Sequence, residues 1–324
     1  MRYPSVIKSF VACLFLVTSS QAALAETVLR LAENQPENNP VTIAMHRFAE
    51  LAQEYSNGEI QIQVYAGGQF GQETETIEQT QVGIIEMTRV NAVTLANVTP
   101  SVGVFALPYI FKDTNHKYAV LDGDIGKDVR NEMAKAGLVG FDFMEAGSRS
   151  FYTREGLPLT GLEDLKGRKI RVQNSPIAIR MVELLGAIPT PMNYGEVFSS
   201  LQTGVMDGAE NDFVSFLTSG HYEVAKNFLE DEHLSPPAIV VMNKETFDGL
   251  PTEQQDAISR AAHEAALYER KLMFEANAEA KQTVIDAGVT VLPVDNTPFQ
   301  QAILPIYDEF PELSDYINRI SEVN

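Results

Sequence analysis

Apolar and polar positions along this chain switch repeatedly between a period of two and a period near 3.6, which outlines an α/β protein. The run "VLRLAEN" reads as a strand, and "VTIAMHRFAELAQEYSNG" as a helix. In the helix Val41, Met45, Phe48, Ala52 and Tyr55 recur at spacings of four and three, and Gly58 supplies the stop. "EIQIQVYAGG" alternates Ile60, Ile62 and Val64 before two glycines break it. A helical stretch over Thr74 to Val82 leads to "GIIEMTRVNA" as a strand. The Pro-interrupted "VFALPYIF" reads as a buried crossing segment, and "GLVGFDFMEAG" as a strand ending just before Ser148 and Arg149.

The second half repeats the pattern with new material. "DLKGRKIRVQ" is a turn and a strand, after which Ser175 and Pro176 open a helix with a good N-cap and a proline at its first position. That helix, Ile177 to Leu185, stops at Gly186. A short helix around Glu196 to Gln202 precedes "GVMDGAEND", and "AIVVMNK" reads as a strand from Ala238. Thr252 to Gln255 form a capping box, and no breaker follows until Gly288. Ile258, Ala261, Ala265, Tyr268, Leu272, Ala276, Ala280 and Val284 make one stripe. A helix over Glu253 to Ala287 spans roughly 50 Å, longer than a small domain is wide, so it is expected to brace two domains.

The start of the chain changes the compartment. Arg2 and Lys8 are basic, Phe10 to Val17 are apolar, and Ala23-Leu24-Ala25 is a small-x-small site before Glu26. This is the pattern of a secretory signal peptide over 1–25, its apolar run being too short for a membrane span. The only cysteine, Cys13, lies inside that run, so the exported chain is expected to have no disulfide. No later stretch approaches the length of a transmembrane helix. Removing Arg2 and Lys8 from the 24 basic residues leaves 22 against 44 acids, a formal charge of −22. Such a surface repels nucleic acid and anionic lipid. An anionic ligand would approach against the global field, so local cations must hold it.

Catalytic signatures are missing: the sequence has no G-x-G-x-x-G, P-loop, G-x-S-x-G or H-E-x-x-H. His46, His116, His221, His233 and His263 lack ligand spacing and read as surface or capping residues. Polar residues do collect at strand ends. Glu33 and Asn34 finish the first strand, Arg89 and Asn91 the third, and Arg171, Gln173 and Asn174 finish "KIRVQN", while Arg149 follows another strand. In open α/β sheets ligands bind at such ends. Ile170 and Val172 face a core, so Arg171 points the other way. Two guanidiniums, the Ser175 helix N-terminus and several amides together describe a pocket for a hydroxylated carboxylate. Composition alone favours for Arg171 a salt bridge to one of 44 acids.

Several long motifs in order, "FAELAQEYSNGEIQIQVYAGGQFGQ", "VFALPYIF", "DLKGRKIRVQNSP", "LGAIPTPMNYGEVFSSLQTGVMDGAEND" and "YEVAKNFL", resemble the substrate-binding proteins of TRAP transporters (DctP type) across the chain after residue 25. The resemblance implies a two-pronged salt bridge from Arg171 in "KIRV" to a ligand carboxylate. It implies site roles for Arg149 in "GSR", Asn174 in "RVQN", Asn211 in "DGAEN" and Tyr194 in "MNYGEVF"; Asp212 stands where the family has proline, which alters the local loop. Ligand choice would lie in Glu33, Asn34, Gln72, Arg89 and Asn91, each of which could instead serve a turn or an ion pair. The implied fold is of periplasmic-binding-protein type: two discontinuous α/β domains, 26–147 plus 235–275 and 148–234 plus 276–324, hinged about a ligand cleft.

The expected function is periplasmic capture of an organic acid and its delivery to a membrane permease, with no cofactor, metal, catalytic residue or nucleic acid, by a monomer. A sensor module of the same fold and a secreted enzyme acting on acidic sugars are the alternatives. Among ligands, amides and a carboxylate such as Glu33 suit the hydroxyls of a hexuronate such as D-glucuronate or D-galacturonate. A C4-dicarboxylate would want a second cationic cluster, for which Arg89 is the obvious candidate. "AENQPENNP" also resembles uronate-binding members of the family.

Overall fold

A computed structural model describes residues 26–323; the expected leader lies outside the described residues. The chain builds two sheets. The first contains β1 (Thr27–Ala32), β2 (Ile60–Tyr65), β3 (Met87–Asn91), β4 (Leu138–Met144) and a later strand, β10 (Ala238–Asn243), in the order β2-β1-β3-β10-β4. The second contains β5 (Arg149–Arg154), β6 (Lys169–Val172), β7 (Ile188–Pro191), β8 (Gly208–Asn211), β9 (Ala225–Leu234) and β11 (Thr290–Pro293), in the order β11-β9-β5-β8-β6-β7. β1 runs parallel to β2 and β3, and β6 parallel to β7 and β8; β10 and β5 are antiparallel to both of their neighbours. The carboxyl ends of the two parallel sets face one another across a cleft, and this positions the site.

Local sequence explains the elements that carry it. Asn39 caps the helix Pro40–Tyr55, its Oδ1 accepting the Val41 N–H at 2.9 Å, with Pro40 at the first position. β10 lies between β3 and β4 and is buried along its whole length, which is why "AIVVMN" is almost uniformly apolar. The long helix Thr252–Asp286 has 35 residues, as the stripe predicts, but it begins after Pro251 and has no side-chain cap. Thr252 is its first residue, so the expected capping box is absent there. Ser175 occupies the N-cap of Pro176–Leu184, yet its buried hydroxyl makes no capping bond. "VFALPYIF" is buried over most of its length but is no strand, because 100–106 coil into a 3₁₀ turn ahead of Pro108.

The chain passes between the sheets three times, at 145–148, at 235–237 and along the long helix. That helix packs Ile258, Ala261, Ala262 and Ala265 against the first sheet's core of Leu29, Leu31, Phe48 and Met87. Farther on, Met273, Ala280 and Val284 join Tyr152, Phe213 and Phe228 beneath the second sheet. Each large apolar side chain buried there stabilises the fold by roughly 1.5–3 kcal/mol. The fully buried Lys117 ties the first two passages together, its Nζ 2.6 Å from Glu145 Oε1 and 3.1 Å from Ser235 Oγ. The Glu145 N–H donates to Glu269 Oε2 of the long helix at 2.8 Å, so all three passages meet. Gly147 has φ near 74°, and a Cβ there would stand 2.3 Å from the Asp212 Cβ, so glycine is needed on both counts.

Candidate ligand-binding site

Both walls of the cleft are strand ends. Asn34 follows β1, Gln72 and Glu73 start the helix after β2, and Arg89 and Asn91 end β3; these face Arg149 at the start of β5, Asn174 just after β6, Tyr194 after β7 and Asn211 at the end of β8, and all of them line one cavity. Arg149 follows β4 after the passage 145–148, as the sequence pattern implies, and it also opens β5. Nine of the ten residues expected at the site therefore converge. Glu33 does not line the cavity; it lies behind it, fully engaged with Arg89.

The three buried arginines differ in their partners. Arg89 donates through Nε to Glu33 at 2.6 Å and through Nη2 to the other Glu33 oxygen, with Asn34 Oδ1 at 2.7 Å and Glu73 Oε1 at 3.4 Å. Arg149 is forked onto the Glu210 carboxylate through Nε and Nη2, and it reaches the Glu210 carbonyl at 2.8 Å and Asn211 Oδ1 at 2.7 Å. Arg171 has no carboxylate within salt-bridge distance among the described residues. Its Nε and Nη2 both donate to the Met192 carbonyl, at 2.9 and 2.7 Å, along one edge of the guanidinium. The end-on edge, Nη1 with the second Nη2 hydrogen, makes no hydrogen bond to protein.

The electrostatics follow the partners. Burial by itself lowers the Arg171 pKa; the Glu210 charge opposes this and the Arg149 charge adds to it, and the net shift is downward, whereas Arg89 and Arg149 are raised by their carboxylates. Burial would raise Glu210, but Arg149 and His233 hold it down to about 2. Burial would lower His233, yet Asp231 at 2.7 Å and Glu210 at 3.7 Å raise it to about 9. A row of alternating charge, Asp231, His233, Glu210, Arg149, thus stands behind Asn211. His221 is pushed down to about 3 by burial and by the Arg171 and Arg149 charges, and its Nδ1 meets the Tyr152 hydroxyl at 2.8 Å. Tyr194 lies between this imidazole and Arg171, its ring 5.5 Å from His221 and 6.0 Å from the guanidinium. Three of the five histidines, His116, His221 and His233, are buried rather than at the surface, each with a hydrogen-bond partner that spacing alone did not reveal.

The walls also bond to each other. Gly195 N donates to Gln72 Oε1 at 3.1 Å, Asn39 Nδ2 to Thr218 Oγ1 at 3.1 Å and Asn97 Nδ2 to the Asn174 carbonyl at 2.6 Å. Sequence reasoning missed Glu73, Thr94, Ser215 and Met273 in the lining. The first two follow strands with no marked pattern. Met273 lies on the long helix, whose side toward the cleft cannot be told from its apolar stripe.

Residues 31–313 match the model of bacterial extracellular solute-binding protein family 7, DctP. The chain belongs to this family. Its members are solute receptors of TRAP transporters rather than enzymes, and they bind small organic acids for a membrane permease. A TRAP periplasmic solute-binding protein from Xanthobacter autotrophicus Py2, solved with bound β-D-galacturonate, is 41% identical with a TM-score of 0.89, the match covering 91% of this chain and all of that one (100%). One from Pseudomonas putida F1 with bound D-glucuronate is 37% identical, also at a TM-score of 0.89, covering 92% and 97%. The C4-dicarboxylate-binding periplasmic protein DctP of Rhodobacter capsulatus is 32% identical over 302 residues, 90% of this chain and 89% of that one. Among the described residues of this family 7 receptor, no helix is long and apolar enough to cross a membrane.

Proposed function

We propose that this receptor captures a hexuronate, D-glucuronate or D-galacturonate, in the periplasm and delivers it to a TRAP permease. The observation that carries the reading is the free end-on edge of Arg171, a buried cation without a carboxylate of its own. A planar fork of this kind matches one carboxylate in a bidentate salt bridge. Arg149 adds positive charge nearby but has spent its fork on Glu210, so it orients Asn211 instead. Asn211, Asn174 and Asn34 then offer amides to the sugar hydroxyls, and Tyr194 covers one face. Arg89 is neutralised by its fork onto Glu33, with Glu73 adding a second acid at 3.4 Å, which removes the second cationic cluster that a C4-dicarboxylate would need. The uronates held by similar receptors support the same choice. The two sheets are then the cores of two hinged lobes, and the exported receptor acts as a monomer.

A thermal-shift screen tests the ligand. Glucuronate or galacturonate at ~100 times its dissociation constant adds about 2.7 kcal/mol to stability. The reading fails if succinate, malate or fumarate raises the melting temperature and the two uronates do not.

A further inference from the structure

One carboxylate in the cavity has no part in holding the ligand's acid group. Glu73, the first residue of the helix Glu73–Gln81, is buried and lines the first-sheet wall. Its Oε1 accepts the Asn91 backbone N–H at 3.0 Å and Arg89 Nη1 at 3.4 Å, and its Oε2 accepts the Thr94 hydroxyl at 2.7 Å. Every partner is a donor, so the group acts only as an acceptor. Arg89 does not cancel it, because that guanidinium is already forked onto Glu33 and bound to Asn34. This wall therefore sets two anions, Glu33 and Glu73, against one cation, Arg89. The facing wall pairs Arg149 with Glu210 and Asp231 with His233; Asp212 caps the helix Phe213–Thr218 by accepting the Ser215 N–H at 2.9 Å and reaches no guanidinium, so Arg171 is left over.

The cavity is thus polarised across the cleft, with an unspent cation on one side and an unspent anion on the other. A ligand that places its carboxylate on Arg171 turns its far end toward Glu73. A hydroxyl there can donate to the remaining lone pair on Glu73 Oε2, whereas a second carboxylate can donate nothing and brings like charge into a dry cleft. We infer that Glu73 selects cargo by charge, admitting sugar acids with one carboxylate and a neutral hydroxylated far end and rejecting aldarates, the dicarboxylates of the same carbon skeleton. This rests on the hexuronate reading of the site.

Titration calorimetry on the wild type and Glu73→Gln, with glucuronate, gluconate and glucarate, tests it. Gluconate and glucarate are both open chains, so their ratio reads the second carboxylate and not the sugar ring. In the wild type glucarate binds about a hundredfold more weakly than gluconate, or more weakly still. In Glu73→Gln, which keeps an acceptor for the Asn91 N–H, that gap narrows by about tenfold or more. Glucarate binding the wild type as well as gluconate does would overturn the inference, whether or not the variant folds. So would a folded variant in which the gap is unchanged. In both cases continued glucuronate binding leaves the hexuronate reading standing; failure of the wild type to bind glucuronate here and galacturonate in the thermal-shift screen removes the reading and the inference with it.

Discussion

Arg171, Arg149 and Arg89 share a residue type and a depth, and differ in what each can still donate. Only Arg171 keeps an open fork, so its loss should fall on binding rather than on folding. Arg171→Ala is expected to weaken uronate capture by roughly 2–5 kcal/mol in calorimetry while leaving a folded protein. Arg171→Lys should fail similarly, because it keeps the charge and loses the planar pair of donors; unchanged affinity in either variant refutes the assignment. His233 acts one layer further back. It faces Asp231 on its own strand and Glu210 on β8, and through Glu210 it steadies Arg149. Its pKa is raised, so its contribution to stability is complete below its unfolded value near 6.5 and disappears as pH climbs through about 9. His233→Gln should therefore lower stability by about 3 kcal/mol near pH 6, with the gap to wild type closing toward pH 10. A gap that stays constant over that range would show that the imidazole carries no charge. At this scale the sequence placed Arg171 well, since an arginine between Ile170 and Val172 must leave the core. It could not tell the three guanidiniums apart, because Glu33, Glu210 and Glu73 come to them from residues 16 to 61 positions away.

Elements were legible where one period runs unbroken. The long helix, the helix from Pro40 and the buried strand β10 follow directly from their apolar patterns. β8 escaped notice because "GAEN" is buried through ion pairing and not through apolarity, with Glu210 matched to Arg149. β9 carries "KNFLEDEHL", in which buried Asp231 and His233 likewise satisfy each other and break the alternation. The long helix holds a comparable misfit in Glu269, fully buried, whose Oε1 has no partner. Burial pushes this carboxyl well above the usual range, with Glu145 adding to the shift. A raised acid binds its proton more tightly in the folded state, so stability falls as pH rises above the unfolded value near 4.5. Glu269→Gln keeps the acceptor for the Glu145 N–H and removes the proton linkage. Denaturation at pH 5 and pH 8 should show the variant gaining roughly 1–3 kcal/mol on the wild type at the higher pH. Loss of stability at both pH values would mean that the carboxylate is structurally required.

On the scale of the whole molecule, the walls of the cleft belong to different sheets, and each contributes only part of a ligand's surroundings. Bound uronate should hold the lobes in the arrangement in which Gln72 meets Gly195 and Asn97 meets Asn174. Small-angle scattering is expected to give a smaller radius of gyration with saturating ligand than without; superimposable curves would exclude hinge closure. The plan of two sheets spanned by a long helix was legible from chain length, repeated strand–helix signals and a brace too long for one domain. The polarity of the cleft was not, because it arises from pairings between residues distant in sequence within each wall, Glu33 with Arg89 and Glu210 with Arg149.

The unpaired Arg171 fork also gives the outline of the receptor a meaning for whatever docks with it. Drawing the lobes together around an empty fork would remove a charge from water with only the Met192 carbonyl to replace its solvation, a penalty of several kcal/mol. Every 1.4 kcal/mol, roughly, thins the idle closed population another tenfold. Shape then reports cargo. A permease that recognises only the shut outline need not inspect what is inside, and unladen copies, however abundant, do not queue for its docking face.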